Sequence, residues 1–217
     1  MTVVPSHIER LRPYVPGKPI EETEREIGIT GVAKLASNEN PLGPSPRAAA
    51  AVREAVAKAN LYPDGSCFYL KRRLAEALGV GADEIAIGNG SNELIELMVR
   101  TFLFPIGTKK SGGDDEAVIA DGSFIVYRLA LSAHGVKLTS VPLRDRTFDL
   151  EAMADAVNDH TRMIFVANPN NPTGTFAPRA AVERFLDRVQ QFRRIRRPLP
   201  VAGNFAAPDD RPARRAA

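Results

Sequence analysis

A chain of 217 residues with 44% hydrophobic side chains can bury one real core, so a soluble globular domain is expected. It has no apolar run of the roughly 18 to 20 residues that span a bilayer, Met1 to Leu11 lacks the apolar stretch of a secretory signal, and the single Cys67 excludes an internal disulfide and fits a reducing cytoplasm. The net charge of +3 does not describe a basic face for nucleic acid: from Arg188 onward eight arginines stand against two aspartates, a net +6, so the preceding 187 residues carry −3.

Residues 7–14 read as a polar arm ending in the turn Val15-Pro16-Gly17. Ser45 before Pro46 is a cap and first-turn signature, and the alanine-rich run to about Ala59 has strong helix propensity. Asp64-Gly65 marks a turn, with Ser66 as the cap of a helix over Phe68–Leu78 that Gly79 closes. Four short strands are predicted next, at Glu84–Ile87, Ala117–Ala120, Val136–Val141 and Arg162–Ala167. Helices are predicted between them at about 91–103, 123–134 and 149–158, the first with Leu94, Ile95, Met98 and Phe102 at helical spacing. A last helix starts near Pro178 and carries Val182, Phe185, Leu186 and Val189 on one face. Strands separated by helices imply βαβ units and a mainly parallel sheet covered by helices.

From Arg193 the composition turns to Arg, Pro, Ala and Asp without a strand pattern or a lysine. The tail, taken as residues 190–217, reads as a disordered basic extension, a nucleic-acid-binding tail, or a GC-rich stretch translated out of frame. Only Phe192 and Phe205 are interleaved with its arginines, so no nucleic-acid partner is expected and the frame-error reading is preferred. His7, His134 and His160 are scattered and show no metal-ligand spacing, so no metal is expected.

Two segments carry chemistry. In Ile85-Ala86-Ile87-Gly88-Asn89-Gly90-Ser91-Asn92-Glu93 a strand runs through a glycine-rich turn into a helix, presenting backbone N–H groups and the positive end of the helix dipole to an anion. An ordinary strand–helix turn would read the same way, and the pattern is neither a P-loop nor GxGxxG, since Glu93 stands where the last glycine belongs. In Ala167-Asn168-Pro169-Asn170-Asn171-Pro172-Thr173-Gly174-Thr175, two Asn-Pro pairs follow a strand and make a stiff loop. An asparagine fixed there can aim its amide at a ring hydroxyl or oxyanion.

In these segments the chain resembles the fold-type-I aminotransferases that use pyridoxal 5'-phosphate (PLP), in which Asn-Pro-Thr-Gly is a hallmark. Within them it is most similar to the histidinol-phosphate aminotransferases. That likeness is carried by Leu11-Arg12-Pro13-Tyr14-Val15-Pro16-Gly17, Leu35-Ala36-Ser37-Asn38-Glu39-Asn40-Pro41-Leu42-Gly43-Pro44, Tyr62-Pro63-Asp64-Gly65 and the Gly88–Glu93 segment, and it runs from about residue 9 to Val189. It implies a PLP-transferase large domain like that of aspartate aminotransferase, three-layer α/β/α with a mainly parallel sheet that is incomplete here. The domains expected from it are residues 1–37, an arm with part of a small domain; 38–189, the first half of the PLP-binding large domain; and the 190–217 tail.

The site roles below are likewise what the resemblance implies. The turn at Gly90 and the amides of Ser91 and Asn92 bind the cofactor phosphate, Phe124 stacks on the pyridine ring, and Asn171 bonds the ring's 3′ oxygen. Tyr62 reaches the phosphate of the neighbouring subunit of a homodimer, and Tyr14 and Asn40 contact substrate. The reaction implied is amino transfer between glutamate/2-oxoglutarate and an imidazole phosphate in histidine biosynthesis, with small-molecule partners and no membrane. Relatives such as threonine-phosphate decarboxylases and aromatic aminotransferases share the cofactor motifs, and a fragment that only binds PLP or a partner subunit is the non-enzyme alternative.

The family's Schiff-base lysine lies in a Ser-Lys motif well after Asn-Pro-Thr-Gly, whereas the last lysine here is Lys137. No catalytic residue is therefore assigned, and the chain is expected to be truncated and inactive alone. The strand at Glu84–Ile87 is expected to lack its partners, and Arg162–Ala167 to become an exposed sheet edge. The loop Ile106–Asp115, longer than the family's turn, is expected at the surface with Lys109 and Lys110 as solvated charges.

Overall fold

β1 (Glu116–Ala120) and β3 (Thr161–Asn168) are runs of Ala, Val, Ile, Met and Phe, the composition of strands covered on both faces. Their alternation sorts the side chains into two cores. Val118, Ala120, Ile164 and Val166 face one side with Val141, while Ala117, Ile119, Met163 and Phe165 face the other. β2 (Lys137–Val141) lies beside β1, and β4 (Val201–Phe205) beside β3, giving the order β2-β1-β3-β4 with every pair parallel.

This computed structural model describes residues 3–103, 115–196 and 201–205. Helices α5 (Gly90–Phe102) and α6 (Ile125–Ala133) cover one face of the sheet through Ile95, Val99, Ala130 and Leu131. Helices α7 (Leu150–Asp155) and α8 (Arg179–Arg196) cover the other through Leu150, Met153, Val182, Phe185 and Val189. The parallel sheet with helices on its faces that the alternating pattern implies is therefore present, in the three-layer α/β/α form that the resemblance implies. The stripe buried on α5 is Ile95, Val99 and Leu103, a row spaced by four; Phe102 of the expected stripe is exposed, because the sheet takes the neighbouring row. α1 (Ser6–Glu9) belongs to the same unit and lies against α6, with the His7 ring at Gly135.

Residues 13–87 form a second compact unit, so the 38–87 segment clusters with the 13–37 segment that precedes it. It holds α2 (Ile20–Ile27), α3 (Pro46–Val56), α4 (Phe68–Leu78) and a 3₁₀ turn at Ala82–Glu84, and no residue of these helices is buried. α2 stands where no helix was predicted. At α4 the expected cap is corrected. Asp64, not Ser66, receives the helix-start N–H of Phe68 at 3.1 Å, and it also accepts the N–H and hydroxyl of Ser66 at 2.9 and 2.7 Å.

Three further expectations meet the structure. Ile85 is extended (φ −110, ψ 120), but 84–87 pairs with no strand among the described residues, as expected for a strand without its neighbours. From Ile164 onward the expected edge at Arg162–Ala167 is covered, since β4 pairs with β3 from Ile164↔Val201 to Asn168↔Phe205 and engages its outward backbone groups there. The 190–217 segment accordingly has regular structure through Arg196 and at 201–205; residues 197–200 and 206–217 lie outside the described residues. So do residues 104–114, with Lys109 and Lys110.

Two measurements check this arrangement. Leu131 is 0% exposed, so Leu131→Ala is expected to cost about 2–5 kcal/mol in equilibrium urea unfolding. Hydrogen bonds, first the Ser66 hydroxyl and then the Ser66 and Phe68 N–H groups, hold Asp64 below the ordinary carboxylate range. Its capping is therefore complete above the unfolded carboxylate pKa and is lost as pH falls through the depressed folded value. In an NMR titration the Phe68 amide is expected to shift with a midpoint below that of an unstructured aspartate, and Asp64→Ala is expected to abolish the shift.

Candidate functional site

Because the strands are parallel, β1 and β3 release the chain at the same edge of the sheet, where open α/β sheets place ligands. Beyond Ala120 the turn Asp121-Gly122-Ser123-Phe124 leads into α6. It is pinned by the Asp121 N–H donating to Val141 O at 2.7 Å and by Arg128, whose Nη2 donates to Asp121 at 2.9 Å and to Ser140 at 3.0 Å. Phe124 occupies the cap position of α6 and is half-buried. Its ring meets Tyr127 edge-on (centroids 5.6 Å, 87°), and Tyr127 stacks on Phe165 of β3 (4.7 Å, 27°). Burial of Tyr127 pushes its phenol pKa up.

Beyond β3 the Asn-Pro loop closes on itself. Asn168 fastens its base, with Nδ2 donating to Ala177 O at 3.0 Å and Oδ1 accepting the Ala177 N–H at 2.8 Å. Inside, the Asn170 N–H donates to Thr175 O and the Gly174 N–H to Asn170 O, both at 2.8 Å. The Thr173 and Thr175 hydroxyls share a 2.8 Å bond, and Thr175 Oγ1 donates to Arg146 O at 2.7 Å. The Asn168–Pro169 and Asn171–Pro172 peptides are both cis. Asn171 is half-buried, while Asn170 beside it is only 3% exposed.

Asn170 joins the two loops. Its Nδ2 donates to Thr173 Oγ1 at 2.9 Å and lies 3.5 Å from Gly122 O of the other turn. Its Oδ1 and the Ser123 Oγ are buried without a hydrogen-bond partner. Neither is among the site residues the sequence points to; Asn170 stands in the motif as plainly as Asn171, and its burial and its reach to the other turn are what single it out.

The glycine-rich turn is the third element. Gly90 opens α5 with φ +77, a conformation that strains any side chain. A Cβ at Gly88 would sit 2.9 Å from the Glu93 carboxylate and 3.0 Å from Leu94. Glu93 Oε2 accepts the Asn89 N–H at 2.5 Å, while Ser91 and Asn92, exposed in the first turn, have N–H groups with no intrahelical acceptor. One turn further on, Ile95 packs into the cluster that Phe124 also touches. Tyr14, Asn40 and Tyr62 belong to the second unit and are exposed there, and Asn40 Oδ1 accepts the Leu42 N–H at 3.0 Å.

Residues 30–195 match the family described as aminotransferase class I and II. The chain belongs to this family. Among curated aminotransferases it is 51% identical over 191 residues to the histidinol-phosphate aminotransferase of Anaeromyxobacter sp. (strain Fw109-5), covering 87% of this chain and 50% of that one. It is 49% identical over 179 residues to the histidinol-phosphate aminotransferase of Moorella thermoacetica, covering 82% and 44%. In three dimensions it is similar to the histidinol-phosphate aminotransferase of Sinorhizobium meliloti in complex with pyridoxal-5'-phosphate, with TM-score 0.74, 27% identity, and 94% and 50% of the two chains covered. The chain thus spans about half the length of the curated relatives it matches.

Among the described residues no group of three or more His, Cys, Asp or Glu could hold a metal ion, and no helix is long and apolar enough to cross a membrane. The aromatic column under Phe124 has its own check. In an ultraviolet pH titration Tyr127 is expected to ionise above the ordinary tyrosine range, and Tyr127→Phe is expected to remove that late component.

Proposed function

We propose that these residues form the cofactor-holding part of a PLP-dependent aminotransferase of the histidinol-phosphate type, which moves an amino group between glutamate/2-oxoglutarate and an imidazole phosphate. The observation that carries this reading is the meeting of the Phe124 turn and the Asn-Pro loop at the carboxyl edge of the sheet, with two buried polar atoms, Ser123 Oγ and Asn170 Oδ1, left without partners. Orphaned polar groups are costly in a finished interior and suit a seat that a polar ligand completes.

The residues present fit PLP. The amides of Ser91 and Asn92, with the dipole of α5 behind them, take its phosphate, and the open left-handed Gly90 lets the anion approach the backbone. Phe124, whose ring meets Tyr127 edge-on while Tyr127 stacks on Phe165, lies against the cofactor ring, and Asn171 donates to the ring oxygen. Tyr62 reaches the phosphate held by a second copy in a cytoplasmic homodimer, and Tyr14 and Asn40 meet the substrate. When bound, PLP supplies the electron sink for chemistry at the substrate's amino-bearing carbon. The side chains named here bind and orient; none of them supplies the amine.

One observation favours a narrower reading for these 217 residues taken alone. Their last lysine is Lys137, ahead of the Asn-Pro loop, so a role in binding the cofactor or a second subunit without turnover fits them. Titration with PLP, followed by equilibrium dialysis, separates the possibilities. Saturable binding is expected, weakened on the order of tenfold by Asn171→Ala, the loss of one hydrogen bond to a charged partner. Glutamate is expected to give no 2-oxoglutarate. A parent chain that takes up no PLP would sink the cofactor reading.

A further inference from the structure

Two buried polar atoms at the carboxyl edge have no hydrogen-bond partner, and they lie on the two different loops that meet there: Ser123 Oγ on the turn after β1 and Asn170 Oδ1 on the loop after β3. The rest of Asn170 is well held. Its backbone is bonded both ways inside the loop, and its Nδ2 is bonded to Thr173 and reaches toward Gly122 O at 3.5 Å, the outer limit of a hydrogen bond. With the amide nitrogen so engaged, Oδ1 is the end of the side chain left to accept. The Ser123 hydroxyl, one residue before Phe124, can donate or accept. A surface loop would let water satisfy both groups, but Asn170 is 3% exposed.

A purely structural asparagine would have both ends of its amide paired, as Asn168 does seven residues before Thr175, with Oδ1 and Nδ2 both engaged by Ala177. The contrast between these two buried asparagines of one loop is the ground for the inference. Resting on the cofactor reading above, we propose that Ser123 and Asn170 are a positioning pair whose hydrogen bonding is completed only when PLP is seated, which then locks the Asn171 loop against the Phe124 turn. They act through Phe124 and Asn171, not on the reacting atoms.

Removing a buried hydroxyl that has no partner relieves a desolvation penalty, so Ser123 predicts opposite effects on the empty and the filled protein. The full chain is compared with Ser123→Ala, Ser123→Thr and Asn170→Ala in three measurements: the urea unfolding midpoint without ligand, PLP affinity by equilibrium dialysis, and the induced circular dichroism of bound PLP. Ser123→Ala is expected to leave the unliganded midpoint unchanged or higher, to weaken PLP binding about tenfold, and to reduce the induced signal. Ser123→Thr, which keeps the hydroxyl, is expected to restore both. Asn170→Ala is expected to weaken binding and the induced signal at least as much. If the parent binds PLP while Ser123→Ala and Asn170→Ala match its affinity and induced signal, the pair is not completed by ligand and the inference is overturned alone. If the parent binds no PLP, the cofactor reading falls and takes the inference with it. A Ser123→Ala variant that loses affinity only in step with a lowered unliganded midpoint also overturns it, because that is the mark of a structural role.

Discussion

The parallel pairing of β1 with β3 is the constraint from which the rest of the first unit follows. β1 is buried at all five positions and shares its two faces between two helical layers, so it has no solvent side to slip toward. The pairing is irregular at its start, where Glu116 faces Thr161 but Ala117 faces Met163, leaving Arg162 as the extra residue. Glu116 holds that irregularity in place. It is 2% exposed and accepts from Asn158 at 2.5 Å and from Thr139 and Thr161 at 3.3 Å, with Lys137 at 3.7 Å. A carboxylate taken out of water needs such partners, and these come from the start of each neighbouring strand and from the turn before β3. Register secured at the amino edge decides where Ala120 and Asn168 deliver the chain at the other.

The two edges of the sheet therefore contrast. At the amino edge a buried charge is surrounded by donors. At the carboxyl edge two buried side-chain atoms, Ser123 Oγ and Asn170 Oδ1, have no hydrogen-bond partner. Where the Asn-Pro loop turns back into the core at Ala177 it does without helix or strand, because the Asn168 side chain bonds both the backbone N–H and the C=O of Ala177.

Residues 13–87 obey a different balance. None of the residues of α2, α3 and α4 is buried, and Val52, Val56, Leu70 and Leu78 are among the large apolar side chains left exposed. What holds these helices is local: alanine propensity in α3, the Asp64 cap on α4, and ion pairs such as Lys18 with Glu22 and Glu26, or Arg73 with Glu76. Exposed pairs of this kind contribute little, and helices of this length are marginal without a packed face. The two units thus differ in what stabilises them, burial in one and backbone propensity in the other.

What was legible in the residue order is what depends on neighbours along the chain. Two-faced apolar runs marked β1 and β3, helical spacing marked α8 with Val182, Phe185 and Val189, and the Gly88–Glu93 and Asn168–Thr175 motifs marked two of the three elements of the site. Phe124 entered only through family resemblance, because a lone phenylalanine before a helix has the same local pattern whether it faces a ligand or a core. Not legible were properties set by groups distant in sequence: which row of α5 is buried, that Asp64 and not Ser66 caps α4, and that 201–205 adds a strand to β3. The difference between Asn170 and Asn171 belongs with these. Their identical side chains are told apart by the folded surroundings: Asn170 is buried, reaches toward Gly122, 48 residues earlier, and keeps an unpaired oxygen, while Asn171 is half-buried. Local pattern determined the elements and the motifs; burial, which needs the sheet assembled, decided which polar atoms are left to be satisfied.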